Sequence, residues 1–413
     1  MIDFKRHTLS NGMRIVVHRD PFAPIATFNL LYDVGARHEN PSRTGFAHLF
    51  EHLMFSGSAH VTDFDTQVQR VGGDSNAFTT NDITNFYITL PADNIETAFW
   101  LDSDRMLSPI LTQEALDVQK KVVVEEFRQR YLSRPYGDLY HILRDLCYKV
   151  HPYRWPTIGL EPQHILDATL DEVRSFFFSH YIPRHAVLAI SGCIDPEKMF
   201  AMAERWFGDI ERDAPDIVPL AEPEQTVARY LEHRADVPTD RICLAFHMCG
   251  RLGPDYHLSD IATDILSDGE STRLTQHLVH DQRLCTDVNA FILGSYDPGL
   301  VIFAATPAPG IKPQQVTDAL WHEIEALATQ GPTDHELTKA RNRLLASSIF
   351  SETSPQGLAQ SLARYELLGD ANLINTDVLA YDDITPAKVS DFMARVCTPQ
   401  NCSTLLYLSQ NKL

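Results

Sequence analysis

Short apolar runs are spaced along the first half of the chain, and their periodicity predicts its secondary structure. Alternating or continuous apolar runs predict strands at "MRIVVHRD", "IATFNLLYDVG", "SNAFTT", "TNFYITLP" and "AVLAISG". Three- and four-residue spacing predicts helices around "HLFEH", over "DFDTQVQRVGG", from Asn94 to about Tyr148, and at the end of this half. Because closely joined strands pair antiparallel, the pattern predicts an α+β architecture with helices packed on one face of each sheet.

The second half has apolar runs of the same kind as the first, which predict strands at "RICLAFHM" and "GLVIFAATP". The segment that begins at Thr169, "TLDEVRSFFFSHYIPRHAVLAI", has a counterpart that begins at Thr385, "TPAKVSDFMARVCTPQNCSTLL". Each reads as a short helix, a break marked by Pro and a strand. The spacing predicts two tandem homologous domains, residues 1–212 and 229–413, joined by an acidic, Pro-rich linker at 213–228.

Composition limits the classes of molecule that the chain can bind and indicates its cellular compartment. The 413 residues carry a formal net charge of -20, which argues against nucleic acid because phosphate binding needs a basic surface. The first residues, "MIDFKRHTLSNGMRIVV", contain no apolar core of signal-peptide length, and no apolar run reaches membrane-spanning length. The 7 Cys form no CxxC pair, so we expect reduced thiols and a cytoplasmic location.

The pentad "HLFEH" at residues 48–52 contains two imidazoles and a carboxylate. On a helix, positions i and i+4 lie one above the other, so His48 and His52 share a face, with Glu51 beside it. This spacing offers two nitrogen ligands to one metal ion. The alternative is a helix that is merely rich in His, and the pentad by itself does not exclude it.

A catalytic zinc site needs a third protein ligand and an open position for water. The candidates stand in "KKVVVEEFRQR", where Glu125 and Glu126 lie on a predicted helix. Adjacent helical residues diverge by about 100°, so only one of the pair can face the metal well. Spacing alone leaves the choice between them open.

The order HxxEH is a signature of inverzincin zinc peptidases. Together with "GFAHLFEHLMFSGS", "GGDSNAFTTNDITNFYITLP", "VVVEEF", "HPYRWPTIG" and "GESTRL", it makes the chain resemble the M16 metallopeptidases, the family of pitrilysin, insulysin and mitochondrial processing peptidase. The chain is similar to the short, two-domain subunits of bacterial type. The resemblance implies the M16 (LuxS-like) metallohydrolase fold, one zinc ion per chain and the hydrolysis of peptides.

The resemblance also implies roles for individual residues. His48, His52 and Glu126, the second Glu of the pair, would hold zinc, and Glu51 would be the general base. The stretch "SNAFT" resembles the exposed edge strand with which the family binds substrate. The substrate-binding residues implied there are Asn76, Ala77, Phe78 and Thr79.

The chain departs from the family pattern at several positions. Gln119 stands where many members have a Glu that supports the site, and Val279 and Thr286 stand where many have an Arg and a Tyr that bind substrate. Aligning the halves places three other residues at the pentad positions of the second half: Asp260, Thr263 and Asp264. One metal site per chain follows.

These departures lead to a specific hypothesis about assembly. A zinc-carrying subunit without the Arg and Tyr would form a heterodimer with a second M16-like subunit that supplies them, and peptides or unfolded segments would be cleaved in the enclosed chamber between the two. The alternative is a non-catalytic structural or assembly subunit of the same fold. Zinc content separates the two hypotheses, because only the peptidase should bind the metal stoichiometrically.

Overall fold

Two β-sheets organise the part of the chain that the computed structural model describes, residues 1–214, 218 and 220–410. The first sheet has the strand order β1-β2-β6-β3-β5-β4, in which β2 and β6 are parallel and the other neighbours antiparallel. Its strands are β1 Lys5–Thr8, β2 Arg14–Arg19, β3 Ile25–Tyr32, β4 Asp74–Thr79, β5 Thr84–Pro91 and β6 Ala186–Gly192.

The second sheet has the order β7-β11-β8-β10-β9, with β7 and β11 parallel and the rest antiparallel. This order repeats β2-β6-β3-β5-β4 strand for strand, including the parallel pair, so the two halves are copies of one fold. The predicted α+β fold of two homologous domains is confirmed. The strands are β7 Arg229–Ala235, β8 Arg241–His247, β9 Cys285–Leu293, β10 Leu300–Pro307 and β11 Cys402–Ser409.

Helices connect the strands, and those of the repeated segments begin in the same way. Thr169 and Thr385 each cap a helix with the side-chain oxygen, accepting from the backbone of Glu172 and Lys388. No helix in the described part of the chain is long and apolar enough to cross a bilayer. The α-helices are α1 Phe46–Leu53, α2 Phe64–Arg70, α3 Glu96–Leu107, α4 Gln113–Phe127, α5 Leu139–Cys147, α6 Pro162–Leu166, α7 Leu170–His180, α8 Pro196–Phe207, α9 Tyr256–Ser267, α10 Pro313–Gln330, α11 Asp334–Ser351, α12 Pro355–Leu367, α13 Leu373–Thr376 and α14 Pro386–Val396.

The strands predicted from apolar patterns are all present, whereas β1, β7 and β9 were not predicted. Each of these three lies at the edge of its sheet. All residues of β1 are exposed and none of β7 is buried, whereas β9 buries Cys285, Val288 and Ala290. Strands with as little burial as β1 and β7 carry no apolar alternation, and the buried residues of β9 are irregularly spaced, so periodicity detects none of the three.

Two compact units are formed, and neither is continuous in sequence. Unit 1 comprises Met1–Arg128, Trp155–Pro219 and Ser348–Asp377, and unit 2 comprises Gln129–Arg154, Leu220–Ser347 and Val378–Leu413. Part of the linker predicted at 213–228, residues 215–217 and 219, lies outside the described residues. The domain boundaries drawn from the sequence stay a prediction.

Each sheet packs against a helix that comes from the other half of the chain. In unit 1, α12 packs on β2, β3 and β6, and in unit 2, α5 packs on β7, β8 and β11. Alternate residues of β8 show that both faces of the second sheet are covered. Leu244 and Phe246 lie in the core with α9, α10 and α14, whereas Cys243 and Ala245 lie in a separate core with α5. The sequence predicts helices on one face of each sheet. The helix from the other half of the chain covers the second face as well.

The Arg of the family-like segment "GESTRL" has a structural role in unit 2. Arg273 donates to both carboxylate oxygens of Glu336, from Nε at 2.6 Å and from Nη2 at 2.8 Å. Burial would raise the pKa of Glu336, but the bonds from Arg273 and Thr333 outweigh it and lower that pKa to about 2. The ion pair joins the segment after α9 to the start of α11.

Candidate metal centre

Helix α1 carries both imidazoles of the pentad and is anchored by its apolar residues. Phe46, Leu49, Phe50 and Leu53 are buried in the core of unit 1. His48 and His52 lie on another face, where the side chain of His52 is 26% exposed. The four anchoring residues fix the rotation of the helix, and this rotation determines where the imidazoles point.

The first turn of α1 is held by a buried carboxylate that the sequence did not indicate. Glu39 accepts hydrogen bonds from the backbone N–H of Gly45 at 2.8 Å, from that of Ala47 at 2.9 Å, and from Trp155 Nε1 at 3.0 Å. Burial raises the pKa of Glu39 to about 8, although these N–H donors pull it the other way. Trp155 belongs to "HPYRWPTIG", so this segment supports the helix that bears the imidazoles.

Gly45, the N-cap of α1, adopts a left-handed conformation with φ of +90°. A Cβ at this position would lie 2.6 Å from the carbonyl oxygen of Ile158. Only Gly therefore permits both the conformation and the close approach. The chain enters α1 at a fixed angle as a result.

Helix α4 supplies the third donor, and its packing decides between the two candidate carboxylates. Val123, Val124 and Phe127 are buried, which turns Glu126 toward α1 with a side chain that is 18% exposed. The side chain of Glu125 is 56% exposed and lies 3.7 Å from Arg128 Nη1. The structure thus brings Glu126, and not Glu125, to the imidazoles.

The three donor atoms converge with a spacing that suits a metal ion. Glu126 Oε2 lies 3.6 Å from His48 Nε2 and 3.4 Å from His52 Nε2, and the imidazole rings are perpendicular with centroids 4.9 Å apart. Bonds of about 2.1 Å meeting at a tetrahedral angle place ligand atoms roughly 3.4 Å apart. The observed separations exceed good hydrogen-bond lengths and match this value. The residues fit zinc.

Glu51 stands beside the donor cluster and is held by a residue of the adjacent strand. The hydroxyl of Thr79 donates to Glu51 Oε2 at 2.5 Å. Thr79 is the last residue of β4, so the end of this strand is attached to the pentad. The sequence had marked Thr79 only as a substrate-binding residue.

The strand β4 lies at the edge of the first sheet and contains the other residues implied in substrate binding. It pairs with β5 on one side, where Asn76 lies opposite Tyr87 and Ala77 opposite Phe86. Asn76 and Phe78 are exposed. Its other side is the terminal edge of the sheet, at which a further strand can pair.

Gln119 lies two turns before Glu126 on α4, on the same side of the helix. Its amide donates to the hydroxyl of Ser56 at 3.3 Å, in the segment that follows α1. A neutral amide thus bridges the two ligand-bearing segments at the position where the family resemblance implies a Glu.

The equivalent positions of the second half hold no imidazole. On α9, Asp260 accepts from Tyr381 at 2.8 Å and Thr263 donates to the carbonyl of Ser259 at 2.9 Å. Val279 packs on the core of unit 2, and the Thr286 hydroxyl donates to a backbone carbonyl at 3.4 Å. Within the described residues, His48, His52 and Glu126 form the only His, Cys, Asp and Glu group with metal-ligand geometry.

Comparison with known sequences identifies the family. A profile described as "Insulinase (Peptidase family M16)" matches residues 14–146, and one described as "Peptidase M16 inactive domain" matches residues 167–344. The chain belongs to peptidase family M16. The first M16 profile spans the three residues of the donor cluster, and the second spans most of the half that lacks imidazoles at these positions.

Relatives within the M16 family are similar over nearly the whole chain. The zinc protease PqqE of Helicobacter pylori is 28% identical over 94% of this chain and 88% of its own length. The mitochondrial-processing peptidase subunit beta of Saccharomyces cerevisiae is 22% identical over 86% and 80%. The crystal structure of a protease from Helicobacter pylori has a TM-score of 0.93 at 25% identity and covers 99% of this chain and 100% of its own.

The buried cap on α1 leads to a prediction about stability. Replacing Glu39 with Ala removes the acceptor of the Gly45 and Ala47 N–H groups, while Trp155 Nε1 keeps its bond to the carbonyl of Ala36. Buried donors left unsatisfied cost about 1–3 kcal/mol each. We expect Glu39→Ala to lower the free energy of unfolding by at least about 2 kcal/mol, measured by urea denaturation of the chelated protein. Glu39→Gln is the control and should lose less, because its amide oxygen still accepts. Equal stability of Glu39→Ala and the parent chain would show that the cap does not hold the helix.

Proposed function

We propose that this M16 chain is a zinc-dependent endopeptidase subunit that hydrolyses peptides or unfolded segments. The observation that carries the proposal is the convergence of His48, His52 and Glu126, at 3.4 and 3.6 Å between donor atoms. Glu51 lies beside these donors and accepts a hydrogen bond from Thr79, the last residue of the edge strand β4. Metal ligands, a proton acceptor and a peptide-pairing edge are the parts that metal-assisted peptide hydrolysis needs.

The residues of the site take distinct parts in the proposed reaction. Zinc, when bound, lowers the pKa of a coordinated water and polarises the scissile carbonyl. Glu51 accepts the proton of the attacking water and passes it to the leaving amine. Thr79 keeps the carboxylate oriented during both transfers.

The substrate is proposed to bind as an added strand on β4. Main-chain hydrogen bonds to Asn76, Ala77, Phe78 and Thr79 would hold an extended peptide without demanding a particular sequence. The exposed edge fits this mode, and the strand direction leads the peptide to Glu51. Most extended segments of a folded protein are already paired or covered, so the proposed substrates are short or unfolded.

A heterodimer is the proposed active form. The second half has Val279 and Thr286 where many relatives have an Arg and a Tyr, and neither side chain can replace those donors. A relative is named as a subunit, the beta subunit of the yeast mitochondrial-processing peptidase. We propose that a second M16-like chain brings the Arg and Tyr to the chamber. The cytoplasmic location remains a prediction from the sequence.

A non-catalytic structural subunit is the second candidate. A crystal structure titled as a peptidase M16 inactive domain, from Pseudomonas fluorescens, has the same fold, with a TM-score of 0.89 at 16% identity. The donor cluster of the first half supports the peptidase. Metal analysis separates the two, because a peptidase should hold about one zinc per chain and a scaffold none.

Substitution of Glu51 tests the reaction itself. We expect Glu51→Gln to keep about one zinc per chain while hydrolysis of a quenched peptide falls by at least about 100-fold, because the amide cannot accept the proton. Zinc is measured by plasma mass spectrometry and turnover by fluorescence. Retained turnover in this variant would remove Glu51 from the mechanism. Chelation of the parent chain should abolish hydrolysis as well.

The bond between Thr79 and Glu51 gives a prediction about orientation. Thr79→Val keeps the shape of the side chain and loses the hydroxyl, so we expect kcat to fall about tenfold with zinc content unchanged. Thr79→Ser, which retains the donor, should recover most of the rate. If Val and Ser variants turn over equally, the hydroxyl does not orient the carboxylate.

The partner requirement is tested with the protein as it is isolated from its own cells. We expect the chain alone to cleave a quenched peptide library slowly and the complex with its co-purifying M16-like chain to cleave it at least about tenfold faster. Substituting the partner's Arg or Tyr should abolish the gain. Full activity of the isolated chain would contradict the heterodimer.

A further inference from the structure

Unit 2 contains an acidic cleft at the position that corresponds to the metal centre of unit 1. The cavity has a volume of about 460 Å³ and lies between α9 and the edge strand β9. Its charged lining is dominated by carboxylates from both elements and from the turn after α9. These are Asp260, Asp264, Asp268 and Asp287.

Asp264, at the position equivalent to His52, is the deepest of these acids. Its side chain is 5% exposed, and its Oδ2 accepts no hydrogen bond among the residues that the structure describes. The nearest cationic nitrogen, Arg343 Nε, is 3.8 Å away, which is too long for a hydrogen bond. Burial raises the pKa of Asp264 to about 7, so an arriving cation would stabilise the carboxylate form.

Arg343 of α11 shows which kind of cation the rim of the cleft accepts. Its guanidinium bonds to the side chain and the backbone carbonyl of Asp268 and lies 39% exposed. The guanidinium also passes close to Gly269, where a Cβ would lie 3.3 Å from Arg343 Nη1. The rim therefore already holds a guanidinium, while Oδ2 of Asp264 behind it has no hydrogen-bond donor among the described residues.

Aromatic rings also line the cleft. Tyr140 and Phe291 line the cleft with their ring centroids 6.2 Å apart, and Tyr140 is 42% exposed. The guanidinium of Arg241, which also lines the cleft, is stacked 4.6 Å from the ring of Tyr136. A cleft that combines aromatic rings with a buried carboxylate suits an organic cation, through cation–π attraction and charge-assisted hydrogen bonds.

We propose that the cleft between α9 and β9 binds the side chain of an arginine or lysine residue of a peptide, with Asp264 as its carboxylate and Arg343 as a resident cation that the ligand displaces. The site uses none of the residues of the metal centre. It goes beyond the proposed hydrolysis and does not depend on it. Metal binding in the cleft is disfavoured, because no three donor atoms of the described residues converge there.

The test uses Nα-acetyl-arginine amide as the probe and its neutral isostere Nα-acetyl-citrulline amide as the comparison. Binding is measured by titration calorimetry on the full chain, with metal chelated so that hydrolysis plays no part. We expect Arg343→Gln to bind the arginine amide at least about threefold more tightly than the parent chain does. Adding Asp264→Asn to this variant should weaken binding at least about tenfold. Glu325→Gln, an exposed charge on α10, is the matched control and should change nothing.

Equal binding of the arginine and citrulline amides by Arg343→Gln, or no binding of either, would overturn the proposal. Unchanged affinity after adding Asp264→Asn would also overturn it. Circular dichroism reports whether the variant with Asp264→Asn folds. If it does not, the comparison of the two amides on Arg343→Gln still tests the proposal, because Arg343 is partly exposed. Because no zinc or turnover is measured, failure here is distinguishable from failure of the proposed peptidase.

Discussion

The contact between α1 and α4 is the constraint on which the metal centre depends. The carboxylate oxygen of Glu126 is held 3.6 Å from His48 Nε2 and 3.4 Å from His52 Nε2, although the two helices are far apart in sequence. The apolar faces of the two helices determine this distance, because they fix how each helix is rotated. Glu39 holds the first turn of α1 in place, and Thr79 joins its last turn to β4. Packing in the core thus holds the three ligand side chains in place before metal binds. Their conformational entropy is lost when the chain folds and not when the metal binds.

The local parts of the site could be predicted from the sequence, and the tertiary parts could not. The spacing of His48, Glu51 and His52 is a property of one helical turn, so the pentad indicates a shared face without any knowledge of the fold. The choice of Glu126 over Glu125 depends on which side of α4 packs against α1, and no spacing rule contains that information. Glu39 caps α1 from a loop six residues before Gly45, where a lone Glu has no recognisable pattern.

The two halves show how one fold can carry different chemistry at corresponding positions. The strand orders agree, including the parallel pair, yet the helix positions that hold imidazoles in α1 hold carboxylates in α9. An imidazole pair suits zinc, whereas a buried carboxylate beside aromatic rings suits an organic cation. The fold positions a helix against an edge strand in both units, and the side chains on that helix determine what is bound.

The exchange of α5 and α12 has a consequence for how the protein is made. The first sheet buries one face against residues that are translated near the end of the chain, 348–377. A ribosome-bound intermediate that has synthesised only the first half would leave the apolar residues of β3 and β6 uncovered on that side. We therefore expect that the duplication does not yield two autonomous folding modules, and that the nascent amino-terminal half exposes apolar surface until α12 emerges.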